Sequence, residues 1–318
     1  MLAVRGVSYL VGDPDGVRRD LEIIARDLHC TTVMLIADDA GALLGAAGQA
    51  LDLGLDVYLR PDCTDLPQAR VLEQLATVAE GAETLRRDRP GRVTLVVGSE
   101  FSHTVPGIVP GPRSFLRLKL VIRYHRLLRR RIDRELHRLL TRAAGTARNH
   151  FSGPITYSAA AWENIDHSLV DVVGVSLYRS GRNRAGYPER LRELVDSTTK
   201  PVVITEFGCG AFTGADARGA GSFTIVNWFA DPPRIRGDHP RDESVQARYL
   251  TELIDLYDAE DVHGCFVFTF AMPGYPADSD PARDLDKAGF GLLLHHDDGT
   301  IRHKEAFHAV AARYRDLG

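Results

Sequence analysis

Short runs of β-branched and apolar residues alternate along this chain with longer stretches in which apolar residues return every three or four positions. Runs of the first kind stand at Ala3–Tyr9, Thr32–Ile36, Asp56–Leu59, Arg92–Val97, Pro154–Tyr157, Val172–Leu177, Pro201–Thr205 and His263–Phe270. A short, near-continuous apolar run is what a strand covered on both faces needs, so these predict eight strands of a parallel sheet. Stretches of the second kind predict amphipathic helices over Val17–Leu28, Ala40–Leu53, Pro67–Arg86, Tyr187–Ser197, Asp242–Tyr257 and Lys304–Tyr314. Eight strand–helix units in 318 residues predict the α/β class and a (β/α)8 TIM barrel, with residues 1–318 as one domain. An open doubly wound sheet is the competing arrangement. It expects G-x-G-x-x-G after the first strand, where this chain reads SYLVGDPDG.

Two segments exceed the minimal unit. After strand four, Leu116, Leu120, Leu127, Leu128, Ile132, Leu136 and Leu139 recur at helical spacing, predicting one long helix over residues 113–148. It carries about a dozen Lys or Arg against only Asp133 and Glu135, giving it a basic face. After strand seven comes a long loop, Gly208–Asp242, rich in Gly and Pro and holding Phe223, Trp228 and Phe229. Long ordered loops at the carboxyl ends of barrel strands are where binding sites are built.

Composition narrows the function classes only a little. Hydrophobic content of 44% and charged content of 26% are those of a soluble globular protein, and a net charge of −4 selects no class of partner. Cys30, Cys63, Cys209 and Cys265 lie far apart without a CxxC pair, the pattern of free thiols in a reducing compartment. No charged leader with an apolar core opens the sequence, and no apolar run approaches the roughly 20 residues that span a bilayer. The expected location is cytoplasmic. The histidines, His125, His137, His295 and His296 among them, show no HxH or HxxxH spacing, so neither a metal nor another cofactor is expected. The basic helix has three readings. It pairs with acidic surface of its own barrel or of a second subunit in a homo-oligomer, lies on anionic lipid, or meets nucleic acid or another polyanion. Aromatic interleaving is limited to Phe115 and Tyr124, which gives base stacking little support.

Catalytic side chains of such barrels stand where the strands end at one face, because only there do several strands converge on one cavity. Strand four ends Val97-Gly98-Ser99-Glu100-Phe101, and strand seven ends Ile204-Thr205-Glu206-Phe207. A Glu directly after an apolar run needs either a task or a partner. Strands four and seven face each other across the mouth, so the two carboxylates can flank a ligand. Cleavage of a glycosidic bond needs that pair, one group to attack the anomeric carbon and one to protonate the leaving oxygen.

The stretch PVVITEFGCGA resembles the strand-seven motif of the large clan of retaining glycoside hydrolases with acid/base on strand four and nucleophile on strand seven. The resemblance implies Glu206 as nucleophile and Glu100 as acid/base. It also implies that Tyr178, in VVGVSLYRS, hydrogen-bonds the nucleophile. DESVQARYLTELIDLY and KAGFGLL are similar to later segments of clan members. The chain departs from the clan in having Ser99 where Asn usually precedes the acid/base. Strand eight reads FVFTFAMPGY, offering Thr269, Phe270 and Tyr275 in place of a sugar-stacking Trp. Strand two ends at Asp38 and Asp39 where an Arg is usual, while Arg60 closes strand three. The expected substrate-binding set is therefore Tyr178, Arg60, Asp38, Ser99, His103, Trp228 and Tyr275.

Each candidate also has a plain structural reading. Glu206 can be an ion-pair partner of Arg60 or Arg179, and Cys209 a buried thiol. Glu163, in SAAAWENID, is a rival acid that also reads as a favourable charge at a helix N-terminus. The functional expectation is a retaining hydrolase of O-glycosidic bonds acting on a carbohydrate or a glycosylated small molecule. Its rivals are a non-catalytic barrel of this type that binds a glycan or polyanion, as in phage defence, and a biosynthetic enzyme acting on a glycosylated metabolite.

Overall fold

The computed structural model describes residues 1–296 and 298–318. Eight parallel strands close a barrel: β1 (Val4–Leu10), β2 (Thr32–Ala37), β3 (Asp56–Pro61), β4 (Val93–Ser99), β5 (Ile155–Ala160), β6 (Val172–Ser176), β7 (Val202–Phe207) and β8 (Gly264–Val267). They neighbour one another in sequence order, and β8 pairs with β1 to complete the circle. The apolar runs therefore predicted all eight strands in place. β2, β5 and β7 are buried along their whole length, as strands sandwiched between a filled interior and a helical layer must be. Met34, Ile36, Tyr58, Val96, Val172, Val203 and Phe266 fill the interior. Gly6 makes room for Phe266, since a Cβ there would stand 2.3 Å from the ring.

The outer layer comprises α1 (Pro14–Arg26), α2 (Ala40–Asp52), α3 (Gln68–Asp88), α4 (Ser114–His150), α5 (Tyr187–Asp196), α6 (Glu243–Ala259) and α7 (Glu305–Asp316). Local chemistry sets their starts. Asp13 accepts the Asp15 N–H ahead of a proline in the first turn of α1, and Asp39 accepts the Ala42 N–H to cap α2. Between β5 and β6 only a short 3-10 turn, His167–Leu169, replaces a helix. The WEN segment consequently does not open a helix, and that structural reading of Glu163 is corrected below.

The long helix α4 also differs from the expectation of one uninterrupted amphipathic rod. Tyr124 leaves helical geometry (φ −132°, ψ 18°) and divides α4 into two pieces. The apolar stripe behaves differently on either side. Ile132, Leu136 and Leu139 are buried, whereas Leu116 ahead of the break is exposed and Leu127, within a turn after it, is 83% exposed. From Ile132 onward the C-terminal piece packs like an ordinary barrel helix. The N-terminal piece runs along the mouth.

The loop after β7 contains short helical turns over Ala215–Arg218 and Gly219–Ile225 and a two-residue ladder, Val226–Asn227 with Arg234–Ile235. Arg241 anchors its end through Asp284 (2.6 Å), Asp286 (3.0 Å) and Glu243 (3.2 Å). A guanidinium shared among three carboxylates fixes the loop against the chain's last segments.

Candidate active site

Both carboxylate-bearing strands are irregular just before their Glu. The β4–β5 register shifts between Val96 and Ser99, and the β6–β7 register shifts between Val175 and Ser176, which pairs with Glu206. Such irregularities re-aim side chains at the rims of barrels, and here Glu100 and Glu206 both line one cavity of about 570 Å³.

Glu206 is almost fully buried at the end of β7. Its Oε1 is ion-paired to the Arg60 guanidinium from β3, and its Oε2 accepts the Tyr178 hydroxyl at 3.1 Å. Burial pushes the Glu206 carboxyl above the ordinary carboxylate range, and the charge of Glu100 adds to this; Arg60 and the Tyr178 hydrogen bond oppose both. Tyr178 itself is pushed far up, first by burial and then by Glu206, and stays a protonated donor. Arg179 instead meets Glu252 at 2.7 Å and lies over the Tyr249 ring.

Glu100 occupies the left-handed region (φ 46°, ψ 44°), a costly conformation for a residue with a Cβ. A one-turn helix, Phe101–Thr104, follows and returns His103 to the carboxylate, with Nε2 2.6 Å from Glu100 Oε2. His103 Nδ1 lies 3.0 Å from the Ser114 hydroxyl, at the first residue of α4. Gly98 permits the turn, because a Cβ there would stand 2.0 Å from the Phe101 ring.

A brace beneath the turn holds it. Glu163 Oε1 accepts the Ser102 N–H (2.8 Å), and its Oε2 accepts the Ala160 N–H (2.9 Å) and the Tyr157 hydroxyl (2.9 Å). The Tyr157 oxygen in turn accepts the Phe101 N–H (2.7 Å), and the Trp162 indole donates to the Ser102 hydroxyl (3.0 Å). Glu163 thus ties the turn that carries Glu100, directly through Ser102 and indirectly through Tyr157, to the end of β5. It is absent from the residues lining the main cavity.

Of the other expected residues, Tyr178, His103 and Tyr275 line the cavity with the carboxylates. Arg60 reaches Glu206 from a small cleft that it shares with Ser99. The Ser99 hydroxyl is buried and has no hydrogen-bond partner among the described residues. Asp38 is exposed and away from the cavity; its carbonyl accepts the Gln74 amide, and the neighbouring Asp39 serves the α2 cap. Trp228 stands outside with 46% exposure, its ring edge on Tyr275 at 5.2 Å. At the end of strand eight, Thr269 and Phe270 turn away, the Thr269 hydroxyl bonding the Ser8 carbonyl at 2.7 Å while Phe270 is buried. Phe268 faces the cavity in their place. The four thiols are free and buried, Cys209 included.

The barrel has counterparts among solved structures. This is a (β/α)8 barrel. The GH113 β-mannanase AaManA from Alicyclobacillus acidocaldarius, solved in complex with ManMIm, superposes with a TM-score of 0.65 at 16% identity. That superposition covers 100% of this chain and 99% of the mannanase. The family 1 β-glucosidase from Thermotoga maritima gives 0.56 at 13% identity, covering 96% of this chain and 87% of that one. A β-glucuronidase from Bacteroides uniformis gives 0.59 at 16% identity, with 98% of this chain matching 35% of the longer enzyme. No protein-family model and no curated relative matches the sequence. At these identities the likeness is one of fold.

Proposed function

We propose that this chain hydrolyses O-glycosidic bonds with retention of configuration, Glu206 acting as nucleophile and Glu100 as general acid/base. One observation carries the reading. Two carboxylates from opposite strands line one cavity, one held by a cation and a phenol and the other against an imidazole. Arg60 and Tyr178 favour the ionised form of Glu206 that attack on the anomeric carbon requires. Glu100 gives its proton to the departing oxygen as the C–O bond breaks, then takes one from the water that hydrolyses the glycosyl–Glu206 ester. His103, within hydrogen-bond reach of Glu100, orients that carboxyl through both half-reactions. The solved neighbours include a β-mannanase and a β-glucosidase, which supports a carbohydrate or glycosylated small molecule as substrate.

The test is a screen of aryl glycosides followed by variants on the best substrate. Glu206→Gln is expected to abolish turnover with the circular dichroism spectrum unchanged. Glu100→Gln should retain turnover only on leaving groups acidic enough to depart unprotonated. Undiminished turnover in Glu206→Gln overturns the assignment. Sugar binding without turnover by the wild type would identify a barrel that recognises glycans without cleaving them.

A further inference from the structure

The cavity has an extensive apolar wall beside polar groups that include Ser176, Ser180, Arg218 and Thr224. Beside the carboxylates it is walled by Leu118 and Ile122 of α4, Phe223 of the loop after β7, and Phe268, Met272 and Phe290. Sugar hydroxyls find partners among the polar groups but not along this apolar part, which would desolvate an alkyl or prenyl leaving group.

The apolar character continues outward over the rim. On α4, Phe115 (51%) and Leu116 ahead of the Tyr124 break and Leu127 just after it are exposed, and Ile122 is 64% exposed while also lining the cavity. Across the mouth, Phe229 is exposed beside Trp228, which leans on the cavity residue Tyr275. Lys119, Arg123, Arg126 and Arg130 are interleaved with the helical set at the spacing of one exposed face. None of these four forms a salt bridge among the described residues, unlike Arg129, Arg134 and Arg138 further along. An exposed helix of interleaved cations and large apolar side chains, kinked at Tyr124, has the composition that enters the headgroup layer of an anionic bilayer. The basic character argues against a second copy of the same face, because the cations would oppose one another.

We propose that the rim built from residues 115–130 of α4, on both sides of the Tyr124 break, and the loop after β7 seats on an anionic lipid surface, presenting the cavity to glycosides whose leaving group is a lipid. The substrate half rests on the hydrolase reading above; the docking half does not.

The two halves are separated by measuring binding on the Glu206→Gln protein, which needs no turnover. Sedimentation with phosphatidylcholine vesicles and with equimolar phosphatidylcholine–phosphatidylglycerol vesicles is compared at low and high salt. The expected result is binding to the mixed vesicles that weakens with salt. Arg126→Gln with Arg130→Gln should weaken it by about thirtyfold. Leu127→Ser with Phe229→Ser should weaken it at all salt concentrations. Aryl-glycoside turnover of these surface variants, made with Glu206 intact, should stay at the wild-type level. Equal partition into both vesicle types, no partition, or an unaffected double variant overturns the docking. A dimer that Leu127→Ser dissociates, or binding to duplex DNA but not to vesicles, overturns it also. Vesicle binding without turnover of any glycoside would leave the surface standing and remove the hydrolase. Turnover without vesicle binding would do the reverse.

Discussion

Glu163→Gln separates a brace from an acid. Glutamine keeps one of the two oxygens and replaces the other with an NH2 group. With its oxygen retained by Tyr157 and Ala160, the amide presents hydrogens to the Ser102 N–H, which loses its acceptor. A hydrogen bond to a charged group contributes ~1.5–3 kcal/mol, and an unpaired buried N–H costs ~1–3 kcal/mol. A loss of about 3 kcal/mol, set against an unfolding entropy of roughly 2.1 cal/mol/K per residue, lowers Tm by about 4–5 °C. The released Ser102 backbone lets Glu100 leave the left-handed region, and misplacement by an ångström costs on the order of 100-fold in kcat. The assay is calorimetry together with a kcat and KM profile against pH on an aryl glycoside. A brace predicts lower Tm, lower kcat, little change in KM, and a basic limb that persists. Were Glu163 the acid, the basic limb would vanish and azide would restore turnover. Unchanged Tm and kcat would refute the brace itself.

Two further substitutions test the surroundings of the pair. Arg60→Met removes the cation that holds the Glu206 carboxyl down, so that carboxyl rises further and the acid limb of kcat/KM moves to higher pH. A limb that stays or moves down contradicts this. The same sign governs stability: a carboxyl raised by folding contributes fully below its ordinary range and loses that contribution as pH rises through the raised value, so the Arg60→Met variant should lose more on alkaline titration. Gly98→Ala drives a methyl into the Phe101 ring and is expected to cost about 1–3 kcal/mol, lowering both Tm and turnover because Phe101 adjoins Glu100. Wild-type Tm in Gly98→Ala would mean that the turn can yield there.

Much of this was legible in the sequence because parallel barrel strands are covered on both faces and therefore read as apolar runs. Glu206 and Arg60 were readable at strand ends and Tyr178 through the clan resemblance, and all three meet in the structure. Asp38 sat at an equivalent strand end yet remained outside, since the segment after β2 bends immediately into the α2 cap. The brace was hidden because its partners are backbone N–H groups, which carry no residue signature. The split personality of α4 was hidden as well. Leucine at helical spacing reports a stripe, but whether that stripe meets the barrel or the mouth depends on the break at Tyr124, which no proline or glycine marks. The placement of Phe268 rather than Phe270 toward the cavity turned on which way the chain leaves β8 after Val267.

The left-handed conformation of Glu100 has an evolutionary corollary. Asn and Gly occupy that region at less cost than Glu, by about 1 kcal/mol or more. A lineage that had abandoned proton transfer would gain stability by drifting to either residue while keeping the barrel, the cation–carboxylate pair and the apolar pocket intact. Under the proposed hydrolase reading, selection has to maintain glutamate at this position against the backbone's own preference. Among relatives of this chain, Asn or Gly in its place would mark barrels that still bind their ligand and no longer cut it.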